Sequence, residues 1–348
     1  MKEKTILASA PAKVILLGGK GVNWGFPALV AAVGIRTHCT LLCRGGDGYR
    51  FTFAERSEEG VRSTLLEFKG RIDALRAEKR HDDISVVARE DFFAPVRYVL
   101  AHVVEKTRVL GFDVSWRTEI PVGSGLGSGA AASASLVAAA FAAAGASVPP
   151  RELAWIAWQG DVIAHGGVGT GLDTGASALG GVVRYSLGEG PSPVPVAAPI
   201  PIVIGDTLLR ASTAASNTAS RNWLADHPMR HHLLEEMGLL VDQAESALKA
   251  GDLPLLGHLM NLNQLIKEKL GMSVPKIEEL IEAALGAGAL GAKISGKGGG
   301  GIIVALADPS KRAAVAQAIE LAGGKSLLPE VGVAGACIEM NGYCHHSK

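Results

Sequence analysis

The stretch Pro121-Val-Gly-Ser-Gly-Leu-Gly-Ser-Gly-Ala130 and the alanine-rich run behind it constrain this chain more than any other feature. Gly123, Gly125, Gly127 and Gly129 leave a backbone that turns freely and lets a ligand come close. From Ala130 to Ala144 the residues are small or good helix formers, and Gly145 with Pro149-Pro150 ends the run. The pattern predicts a buried helix opened by a glycine loop. Such a loop aims free backbone N–H groups and the positive end of the helix dipole at one spot, which makes a phosphate site. A flexible loop before a core helix is the plainer alternative. No Gly-Lys-Ser/Thr follows at Walker A spacing, and Ser128 lacks the Gly-x-Ser-x-Gly frame of a nucleophile elbow.

A chain of 348 residues has material for one large domain or two ordinary ones. Lys plus Arg and Asp plus Glu both number 34, so no net field draws the chain to nucleic acid or an anionic membrane. Aromatics make up only 5%, which argues against a base-stacking surface. Glycines and charges interrupt the apolar residues, so no stretch reads as a bilayer span, and none reads as a signal peptide. Cys39, Cys43, Cys337 and Cys344 show no CxxC spacing and are expected to be reduced, structural thiols of a cytoplasmic protein. The tail Cys344-His345-His346 reads as a frayed terminus rather than a metal site.

Strands are expected at Thr5–Ser9 and Val14–Leu17, on either side of Pro11 and Lys13, and at Ile35–Cys43, Tyr49–Phe53 and Val61–Phe68. Arg71–His81 reads as a solvated helix, Phe92–Val109 as an amphipathic helix, and Phe112–Ile120 as the strand that delivers the chain into the glycine loop. A helix from Pro150 to His165 sets Asp161 and His165 on one face. A second glycine loop, Gly166 to Asp173, and a strand from Gly180 to Tyr185 follow. Leu187–Pro201 is rich in Pro, Gly and Ser and marks a boundary between residues 1–190 and 191–348. The second part alternates a strand at Ile202–Gly205 with helices near Ala214–Leu224, His232–Ala250, Leu253–Leu270 and Lys276–Ala287. A third glycine stretch, Ser295-Gly-Lys-Gly-Gly-Gly-Gly301, precedes a strand at Ile302–Leu306, a helix near Lys311–Leu321 and a last strand near Val333–Met340. The expected class is α+β.

Three glycine-rich stretches, with Asp173 between the last two, resemble the GHMP family of small-molecule kinases. Ala10-Pro-Ala-Lys-Val-Ile-Leu-Leu-Gly18 resembles its first motif, Pro121–Ala132 its second and Gly291–Gly301 its third. The run from His165-Gly166 to Gly171-Leu172-Asp173, Ile204-Gly-Asp-Thr207 and Met260-Asn-x-Asn-Gln264 are further matches, so the resemblance spans nearly the whole chain in order. It implies a two-domain α+β fold, the first domain like domain 2 of ribosomal protein S5 and the second ferredoxin-like. It implies ATP and Mg²⁺ and, in the branch most like this chain, transfer of the γ-phosphate to the 5-hydroxyl of mevalonate. Relatives often dimerise, so a homodimer is also an expectation.

The resemblance puts Asp173 in the position of the base that takes the acceptor's proton, although an Asp after a glycine loop can also cap a helix. Lys13 falls in the motif's lysine position, where a cation could stabilise charge on acceptor or phosphate oxygens; a surface lysine at a strand start is the alternative. Asp161 matches the Mg²⁺-binding acid, against the reading of a helix-surface carboxylate. Ser128 could bind phosphate or Mg²⁺, or cap its helix. His165 reads as a packing histidine.

The nucleotide cradle is expected to be Gly123, Ser124, Gly125, Leu126, Gly127, Ser128, Gly129 and Ala130, with Gly298 and Gly299 from the third motif. Gly291 to Gly298 is rejected as a Walker A loop because it lacks the final hydroxyl. Arg184 is expected to pair with a substrate carboxylate. Two departures stand out. The family's Gly-Glu-His is Gly18-Gly19-Lys20 here, and the second of its paired serines is Gly129. The first change makes Lys20 a candidate acceptor contact and raises phosphomevalonate as an alternative acceptor; the second leans metal binding onto Asp161. A sister kinase or decarboxylase acting on another acceptor, a sugar among them, and a non-catalytic nucleotide sensor are the rival readings.

Overall fold

The computed structural model describes residues 4–109, 111–210, 231–340 and 343–345. β1 (Lys4–Leu17) runs unbroken where the sequence predicts two strands, so Lys13 lies within a strand and not between two. Its register against β2 (Ala28–Cys43) slips between Pro11 and Ala12. Proline has no N–H to give a ladder, and an irregularity there accommodates it.

The first sheet runs β13 (Tyr343–His345), β12 (Cys337–Met340), β1, β2, β5 (Phe112–Thr118), β3 (Gly48–Phe53) and β4 (Arg56–Val61). β2 divides its second edge: Thr37–Cys43 pairs β5, while Ala28–Ala31 pairs β6 (Val182–Ser186), which forms a hairpin with β7 (Gly190–Val194). The proline-rich stretch that reads as a linker therefore contains a strand. Likewise, the Cys337–Met340 strand pairs with β1, so the end of the chain returns to the first sheet.

Among the described residues, six helices accompany this sheet: α1 (Arg62–Ala77), α2 (His81–Glu90), α3 (Ala94–Thr107), α4 (Ser128–Ala143), α5 (Pro150–Ala164) and α6 (Leu172–Leu179). The strand expected at Val61–Phe68 is mostly α1. Leu65, Phe68 and Ile72 are its buried residues, at the i, i+3, i+7 spacing of one helical face. In α4 the buried residues lie all round the helix, because Ala and Ser let it come close to β1, β2 and α5. A Cβ at Gly160 of α5 would lie 2.6 Å from Ser133 Oγ.

The second sheet is antiparallel, in the order β11 (Lys325–Leu327), β8 (Ile202–Asp206), β10 (Ile302–Ala307) and β9 (Ala289–Ser295). With α7 (His231–Ala250), α8 (Leu253–Lys269), α9 (Pro275–Gly286) and α10 (Arg312–Leu321), it has the β-α-β-β-α-β order of a ferredoxin-like unit. The helix expected at Ala214–Leu224 lies outside the described residues. β9 is an edge strand, and α8 satisfies its outer backbone groups. Asn261 accepts from Ala292 N and Gln264 from Ile294 N, both at 2.9 Å. The Met260–Gln264 motif thus fixes the strand that leads into the third glycine loop.

Cys337 and Cys344 form a disulfide across the β12–β13 hairpin, which corrects the expectation of four reduced thiols. Spacing alone could not show that these two meet, since the hairpin brings their Cα atoms to 5.4 Å. Cys39 and Cys43 are free.

Candidate active site

All three glycine loops converge on β1 at Lys13 and Ile15. Lys13 donates from its backbone N–H to Leu126 O and from Nζ to Gly125 O, both at 2.9 Å, and so holds the first loop on both sides of its side chain. Ile15 N donates to Ser295 Oγ at 2.9 Å, which ties the third loop to the same strand. The second loop is held by Trp158, whose Nε1 donates to Gly169 O at 2.7 Å, and by the Tyr185 hydroxyl, which donates to Thr170 O.

Between the loops lies a cavity of about 300 Å³. Lys13 Nζ stands 3.1 Å from Asp173 Oδ1 inside it. Lys13 is buried, while Asp173 keeps part of its carboxylate open to the cavity. Asp173 sits in the first turn of α6, but the N-cap is Gly171, with φ of 78°; the carboxylate serves the ion pair, not a cap. Gly127 similarly caps α4 with φ of 82°, and no side chain caps that terminus, so Ser128 does not serve as the cap. A Cβ at Gly127 would lie 3.1 Å from Lys13 Cγ and 3.8 Å from Asp173 Oδ2. Glycine there satisfies both the left-handed backbone and the close approach of the catalytic candidates.

Asp161 is buried on α5 and lines the cavity. Burial, and then the charge of Asp173, push its carboxyl well above the usual carboxylate range, with Lys13 and Lys297 opposing. His165, expected to be a packing histidine, also lines the cavity; it is pushed down to about 4 by burial and then by Lys297, so its ring is neutral at neutral pH.

Of the residues expected from sequence, Lys13, Lys20, Gly123, Ser124, Gly125, Gly127, Ser128, Gly129, Ala130, Asp161, Asp173 and Gly298 line this cavity. Ser124 is buried and gives its hydroxyl to Pro121 O at 2.7 Å, which shapes the loop. Three expected residues are not brought to the lining. Leu126 is buried and offers its carbonyl to Lys13; Gly299 N donates to Met272 O. Arg184 pairs with Asp242 at 2.8 Å and Glu245 at 3.0 Å, both on α7.

Lys297 lines the cavity too, although the sequence motifs do not single it out. Its loop fails as a Walker A motif for want of the final hydroxyl, and that comparison hides the lysine. A signal exists in the sequence nonetheless: Lys297 is the one side chain larger than hydrogen between Ser295 and Ile302.

Residues 95–181 match the GHMP kinase N-terminal domain and residues 244–325 the GHMP kinase C-terminal domain. A mevalonate kinase of Pyrococcus horikoshii is 34% identical over 343 residues, covering 97% of this chain and 98% of its own. The chain belongs to the GHMP kinases. Among solved structures, this GHMP kinase is similar to the mevalonate kinase of Methanococcus jannaschii, with a TM-score of 0.77, 17% identity and coverage of 94% and 98%. It is also similar to the galactokinase of Lactococcus lactis complexed with galactose, with a TM-score of 0.74, 18% identity and coverage of 96% and 95%. The shared fold therefore hosts more than one acceptor, and the acceptor must be argued from the site. Among the described residues of this GHMP kinase, no helix is long and apolar enough to cross a membrane.

Proposed function

We propose that this chain transfers the γ-phosphate of ATP to the 5-hydroxyl of mevalonate, giving phosphomevalonate and ADP for isoprenoid precursor synthesis. The Lys13–Asp173 pair beneath the first glycine loop carries this reading. In the reaction the acceptor oxygen forms a bond to the γ-phosphorus, the bond from that phosphorus to the β–γ bridging oxygen breaks, and Asp173 accepts the hydroxyl proton. Lys13, fixed by Gly125 O, supplies positive charge where negative charge gathers on the transferred oxygens. The α4 N-terminus, from Gly127 to Ala130, offers backbone N–H groups to the nucleotide phosphates.

The donor set suits Mg²⁺. Asp161 is a buried carboxylate in the field of a second one, Asp173, that lines the same cavity, and a divalent cation would relieve the repulsion between them. Asp161, with the Ser128 hydroxyl, would hold the ion, which when bound adds charge neutralisation at the nucleotide phosphates.

Lys20 favours a second reading. It is buried in the short helical turn Lys20–Trp24, its Nζ 5.9 Å from the Trp24 ring centroid, and it lines the same cavity. A third lysine there suits an acceptor with more negative charge, such as phosphomevalonate. Mass spectrometry of the products formed from Mg·ATP with each acceptor separately decides between them. Phosphomevalonate from mevalonate supports the first reading; diphosphomevalonate alone supports the second.

A further inference from the structure

The third glycine loop is built to hold its backbone still and present one side chain. Gly296, Gly298, Gly299, Gly300 and Gly301 all have φ between 71° and 137°, in the region open to glycine. Added Cβ atoms would lie 2.1 Å from Met272 O at Gly298, 2.8 Å from Leu209 O at Gly300 and 2.9 Å from Ser124 O at Gly301. The last of these contacts is with the first glycine loop. Gly301 O also accepts from Thr207, through N at 2.9 Å and Oγ1 at 2.7 Å. A loop clamped at Gly298, Gly300 and Gly301 that carries a single long side chain restricts where that side chain can act.

That side chain is Lys297, and we infer that it is a further catalytic residue: an ammonium from the second sheet's loop that contacts the γ-phosphate opposite Lys13. Its lining position in the cavity of Lys13 and Asp173 gives it reach. Its surroundings agree. Burial pushes Lys297 down to about 8, while the charges of Asp173 and, more weakly, Asp161 favour its cation and Lys13 opposes it. The group thus stands within the field of both carboxylates and of Lys13. Two ammonium groups from different halves of the fold would then share the charge on the transferred phosphoryl oxygens, without forming or breaking a covalent bond themselves.

This inference rests on the phosphoryl-transfer reading but not on the acceptor's identity, so its test needs no acceptor. Titration calorimetry on wild type, Lys297→Gln and Lys297→Arg would compare a non-hydrolysable ATP analogue with ADP, each with Mg²⁺. Lys297→Gln should lose about tenfold or more in affinity for the triphosphate and change less than about threefold for ADP, and Lys297→Arg should restore most of the difference. With whichever acceptor the wild type uses, kcat of Lys297→Gln should fall on the order of 100-fold. A lysine that merely staples the loops would lower the melting temperature and leave the triphosphate-to-diphosphate ratio at the wild-type value; that ratio overturns the inference. Amine labelling of the wild-type protein tests the same contact without a variant: the triphosphate analogue should protect Lys297 where ADP does not, and equal protection contradicts it. Failure of mevalonate to react would count against the proposed function and leave this ratio unaffected.

Discussion

Lys13 Nζ lies 3.1 Å from Asp173 Oδ1, joining the middle of the first strand to the first turn of a helix 160 positions later in the chain. Lys13 also holds Gly125 O and Leu126 O, so one residue sets both the base and the phosphate loop. Asp173→Asn should therefore reduce kcat on the order of 1,000-fold, with ATP affinity changed only slightly. Lys13→Met should cost at least as much and also weaken ATP binding, because the loop loses its side-chain tie at Gly125 O while keeping the backbone one at Leu126 O. Steady-state kinetics paired with nucleotide titrations distinguish the two. Equal effects of both variants on ATP affinity would contradict the division of roles.

Gly127 is where that pair meets the loop. Gly127→Ala puts a Cβ 3.1 Å from Lys13 Cγ at a φ of 82°, a left-handed backbone that costs a non-glycine residue about 1–3 kcal/mol. The variant should melt earlier and lose kcat through a displaced Lys13. A melting curve and rate equal to wild type would show that the loop has slack there.

The outlines of this site are legible in the sequence because glycine at φ above zero leaves a mark in composition, and because Asp173 ends a glycine run. The roles that depend on which distant residues meet are not. Arg184 lies on β6, the strand expected after Asp173, yet two carboxylates on α7 claim it. The start of α1 resembles a strand because Val61–Phe68 is too short for periodicity to separate the two. The disulfide depends on a hairpin register that spacing cannot supply.

The chain's return to the first sheet rests on a glycine-to-glycine contact. A Cβ at Gly335 would lie 2.2 Å from Ala178 O at the end of α6, and one at Gly180 would lie 2.2 Å from Gly335 N. Gly335→Ala should destabilise the fold by about 1–3 kcal/mol through overpacking and, since α6 carries Asp173, lower kcat as well. Urea unfolding with an unchanged midpoint would contradict this.

Lys267 and Lys293 are fully buried side by side, donating to Ile294 O, and Lys293 also to Ile15 O at 2.9 Å. Burial is the largest cause and pushes both down, Lys267 to about 7. For Lys267 the hydrogen bond with Lys293 opposes the shift and the charges of Lys13 and Lys20 add to it; for Lys293, Lys267 adds to the lowering. A lysine whose folded value lies below its unfolded value of 10.5 binds more protons unfolded, so stability should rise with pH from about 7 toward 10. Lys267→Met should flatten that rise. Melting temperatures across this range check it, and a wild-type stability that falls over the same interval would contradict it.

The most direct measurement is ADP release by the purified protein with Mg·ATP, run in parallel on mevalonate, phosphomevalonate, diphosphomevalonate and galactose, with Asp173→Asn alongside. Release driven by mevalonate and abolished in Asp173→Asn is the predicted result. Acceptor-independent release, or full activity in Asp173→Asn, would contradict it.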